Sequence, residues 1–167
     1  MREVRYAGPE DLPRLAEITL NCYRTAYENI LPKAYLDSLD NDKLVASYKT
    51  DFGRLAFIVT EDAEAGVTGG AIFGPNRKTA AYPQYDCELY CLYVDPTHWF
   101  KGNGKLLFDF VKDELREQSY HNMLLWVFKE NLPAVRFYQS RKGKPIGEEE
   151  LKVLGTSVIE CSYGYEL

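Results

Sequence analysis

The chain has 167 residues, of which 46% are hydrophobic, 14% aromatic and 27% charged. This composition is typical of one globular domain, and it excludes a disordered chain and a small disulfide-stapled one. The net charge of -5, with scattered basic residues, excludes a general nucleic-acid binder and mildly favours a cationic small molecule. No apolar run has the length of a signal peptide or membrane span. The sequence predicts one domain over residues 1–167, cytoplasmic, without nucleic-acid or membrane partners, and leaves a homodimer open.

The first half of the chain predicts a strand, two helices and a hairpin. A short strand is expected at Glu3–Tyr6, and apolar residues recur at helical spacing from Pro9 onward: Leu12, Leu15, Ile18, Cys22 and Ala26. A second helix is predicted over Lys33–Tyr48. Two β-rich runs, Arg54–Glu61 and Val67–Phe73, flank a turn and predict an antiparallel hairpin.

The second half gives stronger signals. Residues Cys87–Val94 form an almost continuous apolar run, which indicates a central strand buried on both faces. The later elements are predicted from periodicity and turn residues: helix Gly104–Ser119, strand Met123–Phe128, helix Asn131–Gln139, and strands Ile146–Lys152 and Ser157–Tyr165. The order predicts an α/β domain with a mixed sheet, helices on both faces and a parallel crossover in the middle.

The cysteines and histidines do not have the spacing of a metal site. The chain has no CxxC pair, and its thiols and imidazoles are far apart in sequence: Cys22, Cys87, Cys91, Cys161, His98 and His121. Structural zinc sites are built from close ligand pairs, whereas isolated thiols are usually buried as small apolar groups. We expect no metal and no disulfide.

The segment Trp99–Lys105 joins the predicted central strand to the start of a helix. Its glycines, Gly102 and Gly104, allow a sharp turn that presents several N–H groups at the positive end of a helix dipole. This arrangement would hold a phosphate or pyrophosphate. An isolated Gly-x-Gly is equally typical of a simple strand-to-helix turn, and neither a Walker loop nor a dinucleotide fingerprint is present.

Three segments together, Glu88–Pro96, Gly102–Leu107 and Asn131–Tyr138, resemble the GNAT superfamily of acyl-CoA-dependent N-acetyltransferases in order and spacing. The ending Val158–Tyr165 is also similar to the last strand of many bacterial members. The resemblance covers about Val4 to Tyr165 and implies a GNAT-like mixed central sheet that is splayed open.

The resemblance implies acetyl-CoA as cosubstrate. Its pyrophosphate would lie on the backbone of the loop and helix start, and its pantetheine arm would pair with the central strand: Phe100, Lys101, Gly102, Asn103, Gly104 and Lys105 for the first, Leu92, Tyr93 and Val94 for the second. Asn131 would hydrogen-bond the arm, and Tyr138 would give a proton to the departing thiolate, for which a phenol has a suitable pKa. A core aromatic residue is the competing interpretation of Tyr138.

The general base and the acceptor pocket are less well defined by sequence. Glu88, at the head of the central strand, is the first choice of base, with Asp86 as the fallback and a solvated strand-end charge as the competing interpretation of Glu88. An aromatic pocket for a cationic amine is expected from the first two helices and the strand after the splay: Tyr23, Tyr27, Tyr35 and Trp126. Helix packing is the competing interpretation of each tyrosine.

The sequence departs from the family pattern at two places. Trp99 stands where the family usually has Gln or Arg, so a side-chain contact to the phosphates is missing there. Arg141-Lys142-Gly143 replaces a glycine-containing pair after the last helix, close to the adenine end of the cofactor.

The function predicted from these residues is acetyl transfer from acetyl-CoA to a small primary amine, or to a peptide amine, by direct attack in a ternary complex. No cysteine with histidine and carboxylate partners is evident for an acyl-enzyme route. Two alternatives stay open: a GNAT-fold sensor or interaction module that binds acyl-CoA without turnover, and an unrelated domain that holds a mononucleotide in the glycine loop.

Overall fold

The computed structural model describes residues 2–167, which fold into one seven-stranded sheet with helices on both faces; Met1 lies outside the described residues. The elements in chain order are β1 (Arg2–Tyr6), α1 (Leu12–Ala26), α2 (Lys33–Asp37), α3 (Asn41–Asp51), β2 (Ala56–Asp62), β3 (Gly66–Pro75), β4 (Cys87–Val94), α4 (Asn103–Glu117), β5 (Asn122–Phe128), α5 (Leu132–Ser140), β6 (Lys144–Val153) and β7 (Thr156–Glu166). No helix within residues 2–167 is long and apolar enough to cross a membrane.

The sheet has the strand order β1-β2-β3-β4-β5-β7-β6. Strands β4 and β5 are parallel, and the other neighbours are antiparallel. Helix α4 provides the crossover from β4 to β5, as such a parallel pair requires. The predicted mixed sheet, hairpin and crossover are therefore confirmed.

Two apolar layers hold the helices on the sheet. Leu12, Leu15 and Tyr48 of α1 and α3 pack on Phe57 of β2. On the opposite face, the buried side of α4 and the strands beneath it share one core: Phe73, Leu89, Leu107, Phe108, Val111, Leu115, Met123 and Leu125. Helix α5 closes this layer with Tyr138. The sheet is thus covered on both faces, as its apolar β4 and β5 sequences predict.

The single helix predicted over Lys33–Tyr48 is wrong, because the chain breaks between α2 and α3. The side chain of Asp40 accepts a hydrogen bond of 2.8 Å from the Lys43 N–H, so Asp40 is the N-cap of a new helix. A capping residue has extended backbone geometry, which ends one helix and orients the next.

The central strands separate within the sheet. Pairing between β4 and β5 runs from Cys87 with Met123 to Leu89 with Leu125 and then stops. At this point β4 also has a bulge, because the register against β3 skips Tyr90. A bulge bends a strand and increases its twist. The predicted splay is confirmed, and the edge of β4 after Leu89 has no strand partner on the β5 side.

Asp95 fixes the chain where β4 ends. Its carboxylate accepts hydrogen bonds from the Thr97 N–H at 3.0 Å and from Arg14 Nη2 at 2.7 Å, which joins the end of β4 to α1. Burial acts to raise the pKa of Asp95, but the hydrogen bonds from Thr97 and Arg14 outweigh it and leave the pKa below the ordinary 3.8. The charged carboxylate is therefore the form that stabilises this junction.

We expect Asp95→Ala to lower the free energy of unfolding by about 2 kcal/mol, the range of a hydrogen bond to a charged group. Because the pKa is lowered in the folded state, this contribution is present above pH 4 and disappears as the pH falls through the folded pKa. Urea unfolding of both proteins at pH 7 and below pH 3 checks this. An equal difference at both pH values would contradict the assignment to the charged group.

Candidate active site

A cavity of about 650 Å³ opens where β4 and β5 separate. Its walls are the free edge of β4, the loop before α4, the end of β5 and the inner side of α5. Most of the sequence-predicted site residues line it: Tyr27, Leu92, Tyr93, Val94, Phe100, Gly102, Asn103, Gly104, Lys105, Trp126, Asn131 and Tyr138. Lys101, Tyr23, Tyr35 and Glu88 lie outside this lining. A cleft of this size can take a ligand of cofactor dimensions.

The start of α4 presents backbone N–H groups to the cavity. Gly102 is the N-cap residue and has a φ of 88°, a left-handed conformation that glycine adopts without strain. It offers no side chain to cap the helix, so the first N–H groups of α4 keep their capacity to bind a ligand. Together with the helix dipole they form an anion site. Phe100, 95% exposed and with a φ of 60°, stands at the edge of this site.

The side chains of Asn103 and Trp99 stabilise the loop before α4 through hydrogen bonds to backbone carbonyls. The Asn103 side chain is buried, and its Nδ2 donates to the His98 carbonyl at 3.2 Å. The indole Nε1 of Trp99 donates to the Val94 carbonyl at 2.6 Å. Trp99 therefore connects the loop to β4 through a backbone acceptor. Lys101 donates to the Thr97 carbonyl at 2.9 Å and also stays within the loop.

Asn131 and Tyr138 lie on the α5 side of the cavity. Asn131 is the N-cap of α5, but its side chain makes no capping hydrogen bond, so the amide is available to a ligand. Tyr138 is buried among Phe108 and Phe137. Burial raises the pKa of Tyr138 above the ordinary 10.0, so its hydroxyl keeps its proton at neutral pH.

Glu88 is 1% exposed and forms an ion pair with Arg77 from the loop between β3 and β4. Arg77 Nη2 lies 2.5 Å from Oε1, while Arg77 Nε and the Arg77 N–H donate to Oε2 at 3.2 and 3.1 Å. A carboxylate offers about four lone-pair sites, so Oε1 can accept a further hydrogen bond. Asp86, the fallback base, instead accepts from the N–H groups of His121 and Asn122.

The predicted acceptor residues fall into two groups. The rings of Tyr23 and Tyr27 pack edge to face with their centroids 4.8 Å apart, and both residues pack with Tyr35 in one apolar cluster. Trp126 lies across the cavity, where Lys78 Nζ is 4.0 Å from its ring centroid. The indole Nε1 of Trp126 is buried and has no hydrogen-bond partner. Tyr27 and Trp126 therefore give the cavity two aromatic faces, and the Trp126 N–H is a donor left without a partner among residues 2–167.

Two arginines lie next to the predicted site: Arg77, which no sequence pattern marked, and Arg141, which the sequence marked only as part of a departure from the family pattern. Arg77 reaches Glu88 only because the loop after β3 folds back on β4. Arg141 follows α5 and lines the cavity. Within residues 2–167, no group of three or more His, Cys, Asp or Glu side chains is placed to hold a metal ion.

A splayed sheet with a helix start that opens to a cavity beside the splay is the arrangement that the resemblance to acyl-CoA-dependent transferases predicts. The model of the acetyltransferase (GNAT) family matches residues 12–143, and the chain belongs to this family. It is 30% identical to the N-acetyltransferase YuaI of Bacillus subtilis over 165 residues, which cover 99% of this chain and 93% of YuaI.

Two further comparisons agree with this assignment. The L-methionine sulfoximine/L-methionine sulfone acetyltransferase of Salmonella typhimurium is 29% identical over 138 residues, 82% of this chain and 77% of that protein. The solved structure of yncA from Salmonella typhimurium, with its cofactor acetyl-CoA, superposes with a TM-score of 0.74 at 22% identity, covering 99% of this chain and 93% of that chain. The predicted family, fold and enzyme class are confirmed.

Proposed function

We propose that the protein transfers the acetyl group of acetyl-CoA to a primary amine by direct attack in a ternary complex, in the cytoplasm as the sequence predicts. The observation that carries this proposal is the cavity itself, where an uncapped helix start, an unpaired strand edge and a protonated tyrosine face one space. Each of these groups suits a different part of acetyl-CoA.

The residues present fit the cosubstrate. The first N–H groups of α4 suit its pyrophosphate, and the free edge of β4 at Leu92–Val94 suits the amides of its pantetheine arm. The side-chain amide of Asn131, unused in capping, can hydrogen-bond the same arm. When bound there, acetyl-CoA supplies a thioester whose carbonyl carbon is open to attack.

Two side chains of the protein transfer the protons of the reaction: one accepts the proton that the amine loses, and the other donates the proton that the sulfur gains. The acceptor amine must lose a proton as its C–N bond forms. Glu88 is buried outside the cavity lining, so it takes this proton by way of a water molecule at a remaining lone pair of Oε1. The Tyr138 hydroxyl would give its proton to the sulfur as the C–S bond breaks, and the resulting tyrosinate, whose pKa is raised by burial, takes a proton back from solvent before the next turnover. The products are an N-acetylated amine and CoA.

The cysteines favour direct attack over an acetyl-enzyme intermediate. Cys22 and Cys91 line the cavity, but burial raises the pKa of both thiols to about 12. At neutral pH they are protonated, and the protonated thiol is a poor nucleophile. We therefore expect intersecting initial-rate patterns when both substrates are varied, as a ternary complex requires.

The acceptor is proposed to bind against the aromatic faces of the cavity. Tyr27, which packs in one cluster with Tyr23 and Tyr35, lies on one side of the cavity, and Trp126 also lines it. Aromatic faces attract a cationic amine, and the buried Trp126 N–H can donate to an acceptor atom of the substrate. The relative from Salmonella acts on amino-acid derivatives, so a small amine of that kind is a sound first test.

Thiol release tests the proposal. Acetyl-CoA is incubated with the protein and a panel of polyamines, amino acids, methionine sulfoximine, methionine sulfone, aminoglycosides and peptides. We expect CoA release that matches acetylated product by mass spectrometry for at least one amine class. Tight CoA binding without turnover of any amine would favour the sensor alternative, and preference for a mononucleotide over CoA would overturn the family-based mechanism.

The Glu88→Gln variant tests the base. The amide oxygen can still accept from Arg77 on one side, whereas the NH2 group replaces an acceptor on the other and the ion pair is lost. We expect roughly a 100-fold lower kcat at pH 7 with an unchanged KM for acetyl-CoA. The loss should shrink at high pH, where the free amine is already deprotonated.

Glu149→Gln is the matched control, because Glu149 pairs with Lys78 at the same loop and has no part in the proposed reaction. We expect its pH–rate profile to follow the parent protein. If Glu88→Gln instead keeps its kcat, or loses affinity for acetyl-CoA, Glu88 is not the base; a lower melting temperature alone reflects the lost ion pair with Arg77.

A further inference from the structure

Arg141 is a half-buried cation on the cavity wall without an internal partner. Its Nε is buried and makes no hydrogen bond, and within residues 2–167 no carboxylate lies within ion-pair distance of its guanidinium. Lys105, which also lines the cavity, already pairs with Asp109. A buried unpaired donor on a charged group costs stability, which in a folded protein indicates a missing partner.

The position of Arg141 points to the phosphates. Its Cζ lies 5.4 Å from the ring centroid of Phe137. The edge of the same ring lies 3.6 Å from the place where a Cβ on Gly104 would be. The guanidinium and the first turn of α4 therefore contact a common side chain, and both face the cavity.

Trp99 explains why a cation is needed here. The resemblance expects Gln or Arg at this position to contact the phosphates, but the Trp99 indole is held by the Val94 carbonyl. Backbone N–H groups carry only partial charges, so the phosphates of acetyl-CoA would lack a full positive charge from position 99. Arg141 lines the same cavity and has five donors in a planar fork that matches a phosphate.

We infer that Arg141 binds a phosphate group of acetyl-CoA and supplies the positive charge that Trp99 does not provide. This inference rests on the proposed cofactor site. The group bound is a phosphate oxygen of either the pyrophosphate or the 3′-phosphate, and the choice of ligands in the experiment separates the two.

Isothermal titration of the whole chain with CoA, 3′-dephospho-CoA and acetyl-pantetheine tests the inference without turnover. We expect Arg141→Leu to weaken CoA binding roughly 10- to 100-fold, the range for a hydrogen-bonded ion pair. Acetyl-pantetheine, which has no phosphate, should bind both proteins equally. An equal loss for CoA and dephospho-CoA assigns the pyrophosphate, whereas a loss restricted to CoA assigns the 3′-phosphate.

Arg136→Leu is the matched control, since Arg136 is an arginine of α5, the helix that Arg141 follows, and does not line the cavity. Arg141→Gln is the second variant, because it keeps a polar chain and removes the charge; it should also weaken CoA binding and flatten the dependence of affinity on salt. If either Arg141 variant folds and binds CoA no worse than Arg136→Leu, Arg141 does not bind phosphate. Failure of the parent chain to bind CoA would overturn the cofactor site as well.

Discussion

Tyr138→Phe is expected to lower kcat by about 100-fold or more with little change in stability. The substitution removes one oxygen and keeps the ring that packs on Phe108 and Phe137. Without the hydroxyl, the thiolate leaves unprotonated, and the barrier to C–S cleavage rises. Because burial raises the pKa of Tyr138, deprotonation of this group should not limit the parent enzyme near neutral pH.

Steady-state and single-turnover kinetics measure this effect. Tyr163→Phe is the matched control, since Tyr163 is also buried and its hydroxyl accepts from Gln139 Nε2 at 3.2 Å, outside the cavity lining. The control should retain its single-turnover rate. An unchanged single-turnover rate in Tyr138→Phe would remove this hydroxyl from the mechanism.

The fold could be predicted almost entirely from local patterns. The continuous apolar run Cys87–Val94 identified the central strand, and apolar residues at helical spacing identified α4 and α5. The exception is the break between α2 and α3. Asp40 followed by helix-forming residues is an N-cap signal, but the apolar spacing across it favoured one helix.

The site could be predicted in part. Its backbone features arise from residues adjacent in sequence, whereas its side-chain contacts join residues from distant segments. The glycine loop and the strand edge follow from adjacent residues. Three other features depend on how separate segments pack: the ion pair of Glu88 with Arg77, the hydrogen bond from Trp99 to the Val94 carbonyl, and the unpartnered Nε of Arg141. No short sequence pattern encodes those distances.

The two glycines of the loop look alike in sequence but have different roles in the structure. The sequence pattern marks both Gly102 and Gly104, but only Gly102 has a positive φ. Gly104 lies within the first turn of α4, where a Cβ would be in ordinary contact with Phe137 at 3.6 Å and Leu92 at 3.9 Å. Backbone freedom is thus required at Gly102, whereas at Gly104 a Cβ would fit in ordinary contact and only the branches of a larger side chain would crowd Phe137 and Leu92.

The thermal shift given by acetyl-CoA tests both glycines. A ligand at about 100 times its Kd stabilises the folded state by about 2.7 kcal/mol, or roughly 5–10 °C in this size of protein. We expect Gly102→Val to abolish most of the shift, because the left-handed φ of 88° is strained for a branched residue and the N–H groups of α4 move with it. Gly104→Val should also remove most of it, since its methyl groups press on Phe137 and Leu92.

Gly155→Val is the control for backbone strain, because Gly155 has a φ of 83° with no atom near its Cβ position and lies in the turn between β6 and β7, outside the cavity lining. It should lower the melting temperature of the free protein but keep the full acetyl-CoA shift. Trp99→Ala should keep more than half of the shift, since it removes packing and one hydrogen bond to Val94 but leaves the N–H groups in place. Should Gly102→Val and Gly104→Val fold and bind acetyl-CoA as well as Gly155→Val does, the start of α4 is not the phosphate site.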